Sequence, residues 1–327
     1  AHCQMALLFL TLRDKRRNQR DTMSERLTMY KKVCLSLLGA GAVALLLSDG
    51  IGLARNETDE FSSGLRRLEE KKRPVMHTFY DFAKDGGVTE KGQQELIRAW
   101  EESWSAAGFD TKVLTMEDAK HHPDFDKYNE FLSKDTWGKY NTLCFWRWFA
   151  IAAAGGHWMA DYDTFPLKPT FDGFDLPYDG KLTIHCPNGV PCVVSGRAFE
   201  FERIAKKIVD NAKEHEHQAS TTHWSDMMAL QDIIQKDPDA FENPRENGMP
   251  AERIMEDFPL DRVACEKVRV RKVMHFSHYS IDVGMEKGAI DRKLSIQDQR
   301  GAIATKIVNE LADVCEEYFA KKNAEGN

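Results

Sequence analysis

A chain of 327 residues with 42% hydrophobic and 30% charged side chains is ordinary globular material, long enough for one large α/β domain or two small ones. Its formal charge of −7 is unevenly placed: residues 1–32 carry +5, Asp49 is the sole charge from Val33 to Ala54, and the body from Arg55 onward carries −11. An acidic body lacks the basic surface that holds a phosphate backbone, which argues against nucleic acid as a partner.

Behind the basic cluster, Val33 to Leu47 is apolar and uncharged. This run falls short of the roughly 20 residues that span a bilayer, and extension through Leu53 reaches that length at the cost of Asp49. Segment 33–53 therefore reads as a signal-anchor, or as a signal peptide with Gly52-Leu53-Ala54 as its cleavage site. As an anchor it makes a type II membrane protein, with the tail 1–32 in the cytoplasm and the body in the lumen of the Golgi or endoplasmic reticulum; if cleaved, the body is secreted. Residues 54–73 are charged without a regular apolar face and read as a stem, and 74–327 as a single domain. A sequon, Asn56-Glu57-Thr58, lies in the stem. Cys186 and Cys192 flank a turn-rich Pro187–Pro191 and form the best candidate disulfide, two free buried thiols being the alternative.

Within the domain, Pro74 introduces a β-rich run, Val75 to Tyr80, expected as the first core strand. Leu96, Trp100 and Trp104 recur at helical spacing, so Glu90 to Ala107 reads as an amphipathic helix ended by Gly108. Thr111 to Met116 reads as a second strand and Phe125 to Phe131 as a short helix; His121-His122 before Pro123 read as surface residues of a bend. Tyr140 to Ala154 is an apolar helix with a single charge, Arg147, and stops at Gly155-Gly156. His157 to Asp163 reads as a strand. Strands alternating with helices imply a parallel sheet covered on both faces, with ligands outside its carboxyl edge. Further on, Leu182–His185 and Val190–Ser195 read as an antiparallel pair and Arg197–Ala212 as a helix. Thr222–Ile234 reads as another helix, Gln235–Pro259 as a polar surface excursion, Val268–Ser280 as a β-rich run, and Ile303–Lys321 as a packed amphipathic helix.

Side chains alternate along an extended segment, so Asp161 and Asp163 are expected on one side and Tyr162 on the other. Two carboxylates facing one point repel unless a cation sits between them, and oxygen donors suit Mg²⁺ or Mn²⁺ with positions left for a substrate phosphate. A solvated turn is the bland alternative. Arg147 has an anionic partner to find, either phosphate or the acidic pair itself.

Arg147, an apolar helix, Gly155-Gly156, an aromatic and Asp161-Tyr162-Asp163 resemble the DXD-containing sugar-binding region of GT-A glycosyltransferases. The similarity is to the group with the secretory-pathway alpha-mannosyltransferases and alpha-1,4-galactosyltransferases, and it runs from about Val75 to Pro169. Leu143-Cys144 stand where that group often has Ser-Asp. The resemblance implies a mixed, mostly parallel GT-A-like sheet flanked by helices, with His77, Phe79, Arg147, Asp161 and Asp163 contacting a nucleotide-diphosphate-sugar. It also implies a divalent metal on Asp161, Asp163 and a C-terminal histidine, for which His278 is chosen and His275 held as the spare. Asp226 is the implied catalytic acid of the second half, helix capping being the alternative. The expected activity is metal-dependent sugar transfer to a glycan, glycolipid or glycoprotein. A silent lumenal binding domain and a metal-dependent phosphoesterase are the rival readings.

Overall fold

The computed structural model describes residues 73–82, 89–134, 137–167, 175–219, 224–291 and 297–325. The expected tail, apolar segment, sequon and almost all of the stem lie outside the described residues. No helix among the described residues is long and apolar enough to cross a membrane.

The apolar run after Pro74 forms β1 (Val75–Phe79), whose last four residues are buried. Thr89, accepting the Gly92 N–H, caps α1 (Glu90–Ala106), which buries Leu96, Trp100 and Trp104 along one stripe. Gly108, at φ +96°, turns the chain toward β2 (Asp110–Leu114). The expected second strand loses its last two residues to the next helix, because Thr115 and Asp118 close a capping box on α2 (Met116–Lys120). His122 of the following bend is buried against Phe149, not on the surface. After α3 (Phe125–Leu132) comes α4 (Gly138–Ala153), with Phe145, Trp146, Trp148, Phe149 and Ile151 all buried.

Gly155 and Gly156 follow at φ +100° and +78°, and lead into β3 (Gly156–Ala160). A Cβ on Gly156 would sit 2.5 Å from the Ala198 backbone nitrogen, so close passage as well as dihedral requires glycine there. The chain continues through β4 (Thr164–Pro166), β5 (Thr183–Ile184), β6 (Val193–Arg197), α5 (Ala198–Glu214) and α6 (Asp226–Lys236). Next come β7 (Gly248–Pro250), α7 (Glu252–Met255), α8 (Arg262–Val268), β8 (Val273–His275), α9 (His278–Glu286) and α10 (Arg300–Glu325).

Five strands form one sheet in the order β2-β1-β3-β6-β5. The pairs β1–β2 and β1–β3 are parallel and joined by helical crossovers, whereas β3–β6 and β5–β6 are antiparallel. The molecule is thus mixed α/β, with helices on both faces of a mixed sheet. On one face α4, α5 and α6 pack over Phe79, Met159 and Val194; on the other, Trp100 and Trp104 of α1 cover Met76, Trp158 and Val193. A second sheet, β4-β8-β7, sits beside the first and anchors a separate apolar cluster under α8, α9 and α10.

Two further sequence expectations need correction. Residues 235–259 are not a polar excursion: they contain β7 and α7 and bury Phe241, Met249, Ala251, Ile254 and Met255. The β-rich run 268–280 contributes strand only at β8, because Ser277 caps the Ser280 N–H and starts α9. Cys186 and Cys192 are disulfide-bonded across the turn at Pro187–Gly189, as expected. A second disulfide, Cys265–Cys315, ties α8 to α10 across a sequence separation of 50.

Candidate metal site

At the carboxyl edge of the sheet, β3 stops at Ala160 and Asp161-Tyr162-Asp163 forms a turn. The Asp161 N–H donates to the Cys192 carbonyl at 2.9 Å, and the Thr164 N–H closes the turn on the Asp161 carbonyl at 2.9 Å. The two carboxylates do converge, but through this turn and not through strand alternation. Directly afterwards β4 pairs with β8 in the register Thr164↔His275, which sets His275 next to Asp163. One oxygen from each carboxylate and one ring nitrogen of His275 lie within 4.8 Å of one another. His275 Nε2 is 3.2 Å from Asp163 Oδ1 and 4.0 Å from Asp161 Oδ2. His278, the expected third ligand, instead opens α9; it lines the same cavity but is outside this group of three. The spare takes its place because β8 ends at His275, leaving no strand to carry the next histidine.

Two arginines hold the carboxylates from behind. Arg147 ion-pairs with Asp161 through Nη1 and donates from Nε to Asp226 Oδ2 at 2.7 Å, with Nη2 2.5 Å from the same oxygen. Asp226 Oδ2 also accepts the Trp148 indole N–H at 2.7 Å, and Oδ1 accepts the Met227 N–H at 2.8 Å. The implied catalytic acid is therefore occupied on both oxygens and 1% exposed, a brace for Arg147. Arg300, at the start of α10, places Nη1 3.4 Å from Asp163 Oδ2 and its guanidinium 5.9 Å from the Tyr162 ring centre. Nothing in the surrounding sequence marked it, since Gln297 to Gly301 carries no motif.

Charge separates the two acids. Burial raises the Asp161 carboxyl above its usual range against Arg147, with Asp163's like charge adding to the rise. Burial acts the same way on Asp163 but is outweighed by His275 and Arg300, which hold that carboxyl well below the usual range. For His275, burial favours the neutral ring, and Asp163 and Asp161 overcome it to raise the imidazole above its ordinary value. Burial, reinforced by Asp226, raises the Cys144 thiol, which lies in the cavity wall and stays protonated.

The cavity holds about 340 Å³ and is walled by Phe79, Tyr80, Leu143, Val190 and Pro191, with Tyr140 and Tyr279 at its exposed rim. That size and lining suit a small ligand oriented by a few polar groups. Phe79 thus lines the site as expected, whereas His77 does not. Two residues short of the carboxyl end of β1, His77 is buried beneath the sheet and donates through Nδ1 to the Trp158 carbonyl at 3.0 Å. Burial lowers its ring to about 4, so it stays neutral. Two carboxylate oxygens and one imidazole nitrogen make a donor set that could hold a divalent metal ion.

Residues 59–174 match a family described as a domain of unknown function (DUF8765). The match covers β1 through β4, Asp161 and Asp163 included, and stops before His275 and Arg300. No curated protein matches the chain.

Proposed function

We propose that this chain is a metal-dependent glycosyltransferase of GT-A type, moving a sugar from a nucleotide-diphosphate-sugar to a glycan or glycoconjugate in a secretory-pathway lumen. The observation that carries the reading is the meeting of Asp161, Asp163 and His275 in one cavity at the carboxyl edge of the sheet. Edges of this kind are where α/β sheets bind ligands. Two disulfides fit an oxidising compartment, and segment 33–53 would supply the tether.

In this reading Asp161, Asp163 and His275 hold the cation. A bound divalent ion neutralises the charge that grows on the departing diphosphate. Arg147, locked between Asp161 and Asp226, fixes the Asp161 rotamer so that its oxygen meets the ion without reorganisation. Phe79, Leu143 and Pro191 keep water from the leaving group, and the rim rings of Tyr140 and Tyr279 offer stacking faces to a base or an acceptor sugar. The phosphoesterase alternative is less well supported, because a second group of metal-ligand side chains is missing among the described residues.

The test uses Asp161→Asn and Asp163→Asn, which keep the size of the side chain and remove its charge. Assayed with Mn²⁺ across a panel of nucleotide-sugars, each is expected to lose sugar transfer by roughly a hundredfold or more while melting within a few degrees of the parent. His275→Gln should behave like them and His278→Gln should stay close to the parent. Unchanged metal-dependent turnover in the Asp variants, or a parent chain whose melting no nucleoside diphosphate raises, defeats the assignment.

A further inference from the structure

Arg147 and Arg300 are the two guanidinium groups lining the cavity, and they are used differently. Nε, Nη1 and Nη2 of Arg147 are all spent on Asp161 and Asp226. Arg300 is 3% exposed, makes one long ion pair through Nη1, and has a buried Nε without a partner among the described residues. A guanidinium stays charged at every accessible pH, and a buried one with donors to spare is costly unless an anion completes it. A divalent ion held beside His275 on Asp163 Oδ1 would share the negative charge that Oδ2 now presents to Arg300, and the deficit would grow.

We infer that Arg300 binds the phosphate oxygens of the donor's diphosphate, the anion supplying the negative charge that Asp163 would then share with the metal. This rests on the nucleotide-sugar reading above and adds a residue that the matched family segment does not reach.

The fold holds Arg300 in place for such a task. Asp298 Oδ1 accepts both the Thr89 N–H at 3.0 Å and the Thr89 hydroxyl at 2.8 Å, joining the approach to α10 to the cap of α1. Glycines let the two segments touch: a Cβ on Gly92 would lie 2.7 Å from the Asp298 Cα, and one on Gly301 would lie 2.9 Å from the Leu96 Cα. Past its middle α10 is tied to α8 by Cys265–Cys315, and nearer its end by Tyr318 and Lys322, which donate to Glu266. An arginine on a helix fixed at both ends meets a phosphate pair without first ordering a loop.

Isothermal titration of the full chain decides the matter, with Mn²⁺ alone, then inorganic phosphate, pyrophosphate and a nucleoside diphosphate in saturating Mn²⁺. Arg300→Gln is expected to bind Mn²⁺ as tightly as the parent or more tightly, since a competitor for Asp163 is gone. It should bind pyrophosphate about tenfold to a hundredfold more weakly, as loss of charge-assisted hydrogen bonds implies. A merely structural arginine would weaken both together, and that result, or unchanged pyrophosphate affinity, overturns the inference. So does a parent chain that ignores pyrophosphate or takes inorganic phosphate equally well. Where Arg300→Gln does not fold, Arg300→Lys keeps a cation on Asp163 but lacks the forked donors, and the same loss of pyrophosphate affinity is expected in smaller measure. Nucleoside diphosphate binding that survives in Arg300→Gln sinks the inference and leaves the transferase reading standing. Arg300-dependent pyrophosphate binding without any gain from a nucleoside does the reverse.

Discussion

Asp163 is the residue on which both sides of the site lean: its oxygens face His275 on one flank and the buried Arg300 on the other. Truncation is therefore not a clean probe of chemistry. Asp163→Ala leaves a buried guanidinium without its anion, and a loss of about 3–5 kcal/mol in urea unfolding is expected from breaking such a pair. Asp163→Asn keeps a carbonyl for Arg300 and should lose distinctly less. Equal stability of the two variants would mean that the pair contributes little. At this scale the sequence was partly legible. Asp161 and Asp163 stood out by spacing after Gly155-Gly156, and Arg147 by being alone among apolar neighbours. Arg300 and the choice of His275 did not, because each becomes special only by what a distant segment brings to it.

The elements explain why. Asp161 and Asp163 were expected to converge along a continuing strand; they converge because a turn ends β3 and hands the chain to a second sheet. The Thr164↔His275 register of that sheet, set by pairing over three residues, then selects the histidine. Local periodicity carries no information about register between segments more than 100 positions apart. The Gly155-Gly156 link is more readable, and it yields a prediction. Gly156→Ala adds a Cβ both to a left-handed backbone and against the Ala198 nitrogen, and a destabilisation of about 2–4 kcal/mol is expected. Gly155, at φ +100° with open space around its missing Cβ, should tolerate alanine better, at about 1 kcal/mol. Comparison of denaturant midpoints tests the order; a reversed order would contradict the close passage of α5 over β3.

Across the whole molecule, two buried histidines outside the cavity lining make stability depend on acid pH. Burial pushes His77 to about 4 and His185 to about 3, below the ordinary 6.5. His185 has both ring nitrogens engaged, with Ser195 and with Asn247. Between pH 6.5 and about 4 the unfolded chain takes up protons that the folded chain refuses. The stabilisation is complete above 6.5 and drains away as pH falls, at up to 1.4 kcal/mol per unit for each ring. Denaturant midpoints should thus drop steeply over that window. His185→Gln should flatten the slope, and an unchanged slope would show that His185 is not kept neutral by the fold. The sequence by itself determined the strand and helix alternation, the burial of α4, the glycine link and the acidic pair, because each is written in neighbouring residues through a period of two or 3.6 or a dihedral only glycine accepts. Tertiary structure alone decided the mixed strand order, the Cys265–Cys315 tie, the bracing of Arg147 by Asp226 and the meeting of His275 and Arg300 at Asp163. Those depend on contacts between remote segments, and such contacts are fixed by how separate apolar faces pack, for which no stretch of the chain carries a local signal.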